Sequence, residues 1–108
     1  MNLFKFKKPT DGVRHVAVAD GTVVAKSGDT QRVEGNHYFP PDSVNWDLLE
    51  RSDHTSFCPW KGQASYYDVV VDGRRLPAAA WTYETPSDAA RHIKGYLAFW
   101  HGVKVTKA

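Results

Sequence analysis

Two Asp-Gly pairs, each following a valine-containing run, constrain this chain more than any other feature. Residues 13–19 (VRHVAVA) and 22–26 (TVVAK) flank Asp20-Gly21, and residues 64–71 (ASYYDVVV) lead through Asp72-Gly73 into residues 74–76. A two-residue hairpin turn needs positive φ at both central positions, which Asp and Gly tolerate, and short valine-rich runs suit a pleated surface. The pattern predicts locally closed antiparallel hairpins. A further turn at Ser27-Gly28-Asp29 leads to a short strand over 31–34. Gly35-Asn36 then breaks the chain before His37-Tyr38-Phe39, and Pro40-Pro41 stops any strand there.

Helical signals are short, so the expected class is mainly β, with α+β only at the margin. Val44 and Leu48 share one face over residues 42–50, enough for one or two helical turns or, in so short a run, only a 3₁₀ connection. Pro86-Ser87-Asp88 opens a brief helix over 88–94, with Ser87 as its cap and Gly95 as its stop. Residues 95–100 (GYLAFW) read as a buried strand, and His101-Gly102 turns it into a last strand over 103–106. Residues 1–12 read as an N-terminal tail and 13–108 as one domain.

The formal net charge of +2 is too small to point to nucleic acid as a partner. A single cysteine rules out an internal disulfide framework and any zinc site built from CxxC pairs. The five histidines lack the close spacing of a preformed metal site, so neither metal nor cofactor is expected. No run is apolar for long enough to act as a signal peptide or a membrane span, and a free thiol suits a reducing compartment. The expected location is cytoplasmic.

Chemistry concentrates in residues 52–67 (SDHTSFCPWKGQASYY), which crowd a thiol, an imidazole, an ammonium and several hydroxyls together. Polar groups in that density need partners or water, so they suggest a site. Pro59 and the Ser/Thr-rich surroundings predict an irregular loop. His54 and Cys58 lie four residues apart, and Lys61 follows closely enough to add positive potential to a thiolate. The Lys61-Gly62 pair is no phosphate loop, because it lacks the leading glycine and the hydroxyl residue after the lysine. Each group also has a plain structural reading: Cys58 as an inert core thiol, Lys61 as a solvated surface charge, and Phe99 and Trp100 as core. Asp68 is either solvated on an outer face or holds a specific partner.

With these segments laid out, the chain resembles the bacterial family called domain of unknown function 427. The resemblance runs from about Val13 to Trp100 and rests on ordered motifs: Tyr38-Phe39-Pro40, Ser52-Asp53-His54-Thr55, Cys58-Pro59-Trp60-Lys61-Gly62, Ala64-Ser65-Tyr66, Ala80-Trp81-Thr82-Tyr83 and Gly95-Tyr96-Leu97-Ala98-Phe99. It implies a β-tent fold, two antiparallel sheets at a steep angle around a central groove, shared with methionine sulfoxide reductases of the B type and the drug-binding domain of cereblon. Those relatives carry paired CxxC zinc knuckles, which this chain lacks. The family has no established activity, and the label nucleotidyltransferase-like sometimes attached to it finds no support here. That chemistry needs a Gly-Ser turn and paired carboxylates for a divalent metal, and the chain has no Asp-x-Asp or Asp-x-Glu.

Three functions follow as expectations. The first is a binding module whose aromatic-lined groove, beside the 52–62 loop, takes a small polar or flat molecule. Tyr38, Trp60, Tyr66, Trp81 and Tyr83 would line it, and Ser52, Thr55, His54, Cys58 and Lys61 would supply polar contacts. The second is an enzyme with Cys58 as nucleophile, His54 as base and Lys61 stabilising an anion. The third is a structural or protein-interaction domain. The expected partner is an unidentified small molecule, with no membrane or nucleic acid involved, and the sequence leaves the oligomeric state open.

Overall fold

The alternating runs become strands and the Asp-Gly steps become their turns. In the computed structural model, which describes residues 10–108, nine strands follow in chain order: β1 His15–Ala19, β2 Thr22–Ser27, β3 Gln31–Val33, β4 Asn36–Tyr38, β5 Leu49–Cys58, β6 Gly62–Val71, β7 Arg74–Thr82, β8 Leu97–Phe99 and β9 Lys104–Lys107. They form three antiparallel sheets, ordered β2-β1-β9, β3-β4 and β5-β6-β7-β8. The protein is mainly β. Asp20-Gly21 and Asp72-Gly73 both take positive φ at each residue, as a tight hairpin requires. Most of the predicted tail, residues 1–9, lies outside the described residues.

Four local expectations are corrected. The break expected at Gly35-Asn36 is instead a Glu34-Gly35 turn, and Asn36 already begins β4. Glu34 adopts φ 54 although it is not glycine, and its side chain is tied down elsewhere in the fold. The segment expected over 42–50 takes the 3₁₀ form, but as two separate turns at Pro41–Ser43 and Trp46–Leu48, and it ends early because Leu49 is already strand. Long-range bonds explain this: Val44 bridges Ala25, and the Asn45 N–H donates to Val24 O at 2.7 Å, which holds the chain extended between the turns. Over Asp88–Ile93 the helix is 3₁₀, and the Ser87 side chain does not cap it; its hydroxyl donates to Trp60 O instead.

The fourth correction concerns the polar segment. Residues 52–58 are not a loop but the second half of β5, the edge strand of the four-stranded sheet. Thr55, Ser56, Phe57 and Cys58 pair in register with Ser65, Ala64, Gln63 and Gly62, and only Pro59, Trp60 and Lys61 remain as the turn. A register shift between Arg51 and Thr55 bulges the strand around His54.

Alternation along the four-stranded sheet sends neighbouring side chains to two separate cores. One lies against β1 and β2, where Ala17, Ala19, Val24 and Ala25 meet Val69, Leu76, Ala80, Leu97 and Phe99 around the enclosed Phe39. The other gathers Tyr38, Tyr66, Trp81, Tyr83, Ile93, Tyr96 and Ala98. The adjacent pair Tyr38 and Phe39 feeds both cores. Phe39 and Leu97 exchange backbone hydrogen bonds at 2.7 and 2.9 Å, so the end of β4 is fastened to β8. Among the described residues no helix is long and apolar enough to cross a membrane.

Candidate functional site

The candidate site is an aromatic face on one side of β5-β6-β7. Tyr66 on β6 and Trp81 on β7 are register partners. The Tyr66 hydroxyl meets Ser56 Oγ at 2.9 Å, and His54 sets its ring edge-on to Tyr66 with centroids 4.5 Å apart. Trp100 closes the other flank. Its ring lies 5.2 Å from Trp81 and 6.4 Å from Tyr66, and it stacks on His101 at 3.9 Å with only 4° between the planes. The Trp100 Nε1–H donates to Ala78 O at 2.7 Å. Trp100 is nevertheless 41% exposed, which corrects its expected place in the core, whereas Phe99 is buried as anticipated.

What orients Trp100 is an irregularity in β7. The pairing of β6 with β7 shifts between Tyr67 and Val69, and Ala78 inside this bulge takes φ 49. The Ala78 N–H donates to Asp68 Oδ1 at 2.8 Å, and Arg75 donates to the other carboxylate oxygen at 2.8 Å and to Glu50 at 3.0 Å. Asp68 therefore has specific partners. The Ala78 N–H, and then Arg75, hold its carboxyl below the usual aspartate range. One residue thus fixes both a carboxylate, through its N–H, and an exposed indole, through its C=O. A left-handed alanine is strained, so Ala78→Gly is expected to raise stability by about 0.5–1 kcal/mol. Urea unfolding checks this, and a loss of stability would show that Ala78 is not strained.

Beneath the face lies a layer of buried polar aromatics. The Trp81 Nε1–H donates to the Tyr38 hydroxyl at 3.1 Å. Burial pushes the Tyr38 and Tyr83 phenols above their ordinary pKa, Tyr83 strongly. Cys58 is half-buried against this cluster.

The 59–61 turn closes the layer. Its Lys61 was expected to be solvated, yet it is only 4% exposed. The ammonium pairs with Glu34, lies 4.9 Å from the centre of the Trp60 ring and 5.5 Å from that of Tyr83. Trp60 Nε1–H reaches the same carboxylate at 3.4 Å, and the Ser87 N–H donates to Lys61 O at 3.0 Å. Burial lowers the Lys61 pKa, and Glu34 supplies the countercharge that keeps the ammonium tolerable.

Residues 8–107 match the family described as Domain of unknown function (DUF427). The chain belongs to this family. A comparison with curated proteins found no match. In this DUF427 chain several of the motifs that carried the resemblance converge. Tyr38, Cys58, Tyr66, Trp81, Tyr83 and Tyr96 share the second core, with Lys61 at its margin.

The structure brings together only some of the residues singled out from the DUF427 motifs. Tyr66 and Trp81 form the floor of the aromatic face, while Tyr38 and Tyr83 lie buried behind it. Ser52 Oγ accepts the His54 N–H at 3.1 Å and so shapes the bulge, and Thr55 is exposed on β5 opposite Ser65. His54 and Cys58 lie four residues apart on one strand, which separates them by roughly 13 Å at about 3.3 Å per residue. Lys61 faces Glu34 and Tyr83. The thiol, imidazole and ammonium are thus committed to different neighbours. Among the described residues no group of three His, Cys, Asp or Glu side chains is placed to hold a metal.

Two features escaped the sequence reading. Trp100 follows Leu97, Ala98 and Phe99, and alternation alone places it on the Ala98 side, the side of Trp81; that signal was present. The other lies on the opposite side of the sheet, where Arg51 forks onto Glu84 at 2.8 and 3.1 Å and also bonds Ser65 and Tyr67 at 3.3 Å. These partners are remote in sequence, and no local pattern joins them.

Proposed function

We propose that this domain binds a small flat or cationic molecule on the face formed by Trp100, His101, Tyr66 and His54. The observation that carries the reading is the state of Trp100: exposed to solvent, yet fixed at its indole nitrogen and stacked on a neighbouring ring. A large apolar ring held rigidly in water has already lost the conformational freedom that binding would otherwise remove. Its π surface attracts flat rings and positive charge.

The test is a fluorescence titration with adenosine, choline and succinimide, read alongside thermal shift. At least one is expected to quench tryptophan emission and raise the melting temperature. Trp100→Ala should weaken that binding about 10-fold, within the range of a cation–π contact. The variant should keep its far-ultraviolet spectrum, because the side chain lies on the surface. No response to any of the three probes, or equal binding by the variant, removes the reading.

A further inference from the structure

The aromatic face leaves a separate cleft unused. About 500 Å³ in volume, it opens between the chain leading into β1, the β1–β9 pair and the β3–β4 hairpin. Its lining is mostly polar. His15 on β1 and His37 on β4 stack their rings there with centroids 3.9 Å apart and 26° between planes. His15 Nδ1–H donates to Val13 O at 3.1 Å, which orients its ring. His37 Nδ1 pairs with the Thr30 hydroxyl at 3.3 Å. Arg32 on β3 and Lys107 on β9 complete the wall. The one carboxylate in the lining, Asp11, accepts the Val13 N–H at 2.9 Å and so serves its own turn.

We infer that this cleft is a site for a tetrahedral oxyanion, a phosphate or phosphate monoester, held by Arg32, Lys107 and the stacked imidazoles. Two permanent cations face one carboxylate, so the wall attracts anions even with both imidazoles neutral. Arg32 offers the planar fork that matches paired phosphate oxygens, and Lys107 adds a point charge. The stacked pair tunes the site. Two imidazoliums cannot lie face to face in comfort, and burial, then His15 and Arg32, keep the His37 pKa below its ordinary value, with Asp11 opposing. An anion bound in the cleft beside the stacked rings offsets that repulsion, so binding draws in a proton. By linkage, affinity then rises as pH falls through the histidine range.

Sulfate is the cleanest probe, because it carries the same charge at pH 6 and pH 8. Calorimetry should show about 10-fold tighter sulfate binding at pH 6, the effect of one coupled proton. The His37 ring resonances should shift on addition. Inorganic phosphate and glycerol phosphate, both at pH 6, distinguish a free-anion site from one that takes a monoester. Arg32→Gln should abolish binding, and His37→Gln should leave weak binding with no pH dependence. Lys107→Gln, at the end of the last strand, should weaken binding without affecting the fold. Absence of sulfate and phosphate binding at pH 6, undiminished affinity in both Arg32→Gln and Lys107→Gln, or an unchanged pH profile in His37→Gln would each overturn the inference.

Discussion

Trp81→Ala is expected to destabilise the domain by about 3–5 kcal/mol, the range for removing a large aromatic from a core. Trp81 is 8% exposed and contacts Tyr38 edge-on at 6.1 Å and Trp100 at 5.2 Å. Its loss opens a cavity and leaves the Tyr38 hydroxyl, on a residue only 1% exposed, without its partner. Folding free energies of about 0.05–0.15 kcal/mol per residue make this a large fraction of the total. Trp81→Phe separates the two contributions. It retains most of the volume and removes only the donor, so about 1–2 kcal/mol should be lost. Adding Tyr38→Phe to that background should cost little more, since the hydroxyl is already unpartnered. Urea denaturation of the three proteins is the measurement. A Trp81→Ala protein within 1 kcal/mol of the parent would mean that the indole is not part of the core, and the face above it would lose its floor.

The second large effect concerns the buried charge. Glu34→Gln retains the shape and the positive-φ backbone of the turn but removes the countercharge from Lys61. The expected loss is about 2–3 kcal/mol, because a buried ammonium is left without a carboxylate. Lys61→Met in the same background should restore most of it, since the aliphatic side chain packs against Trp60 and Tyr83 without a charge to solvate. The pH dependence has a definite sign. Burial depresses the Lys61 pKa below 10.5, so between the folded and unfolded values the unfolded chain binds more protons. The penalty is complete below the folded pKa and shrinks as pH rises through it. The gap between Glu34→Gln and the parent should therefore narrow from pH 7 to pH 10. Both proteins share the raised phenols of Tyr38, Tyr83 and Tyr96, whose loss of stability in alkali cancels in that difference. A gap independent of pH would show that Lys61 is charged to the same extent folded and unfolded.

The sequence was most legible where a turn and its strands are adjacent in the chain. Asp20-Gly21 and Asp72-Gly73 form their hairpins because the φ demands of those positions are met within two residues. Residues 52–58 were misread as a loop because their exposed serines, threonine and histidine lack the apolar alternation of a half-buried strand. An edge strand held by backbone pairing to β6 does not need that pattern. Lys61 was misjudged for a related reason. Its partner Glu34 lies on another hairpin, so nothing near position 61 signals a buried cation. Trp100 was misassigned although alternation from Ala98 predicted its side, because chemistry alone favours burying an indole.

The amino-acid order by itself determined the β character, the hairpins, the family and the residue types that gather in the second core, because turn φ angles and side-chain alternation act over a few residues. Only the tertiary structure decided which of those residues meet: Lys61 with Glu34, Trp100 with Ala78, His15 with His37. Each of these contacts joins separate elements. The sheet register and the bulges at His54 and Ala78 set them, through packing and hydrogen bonds that span the whole chain.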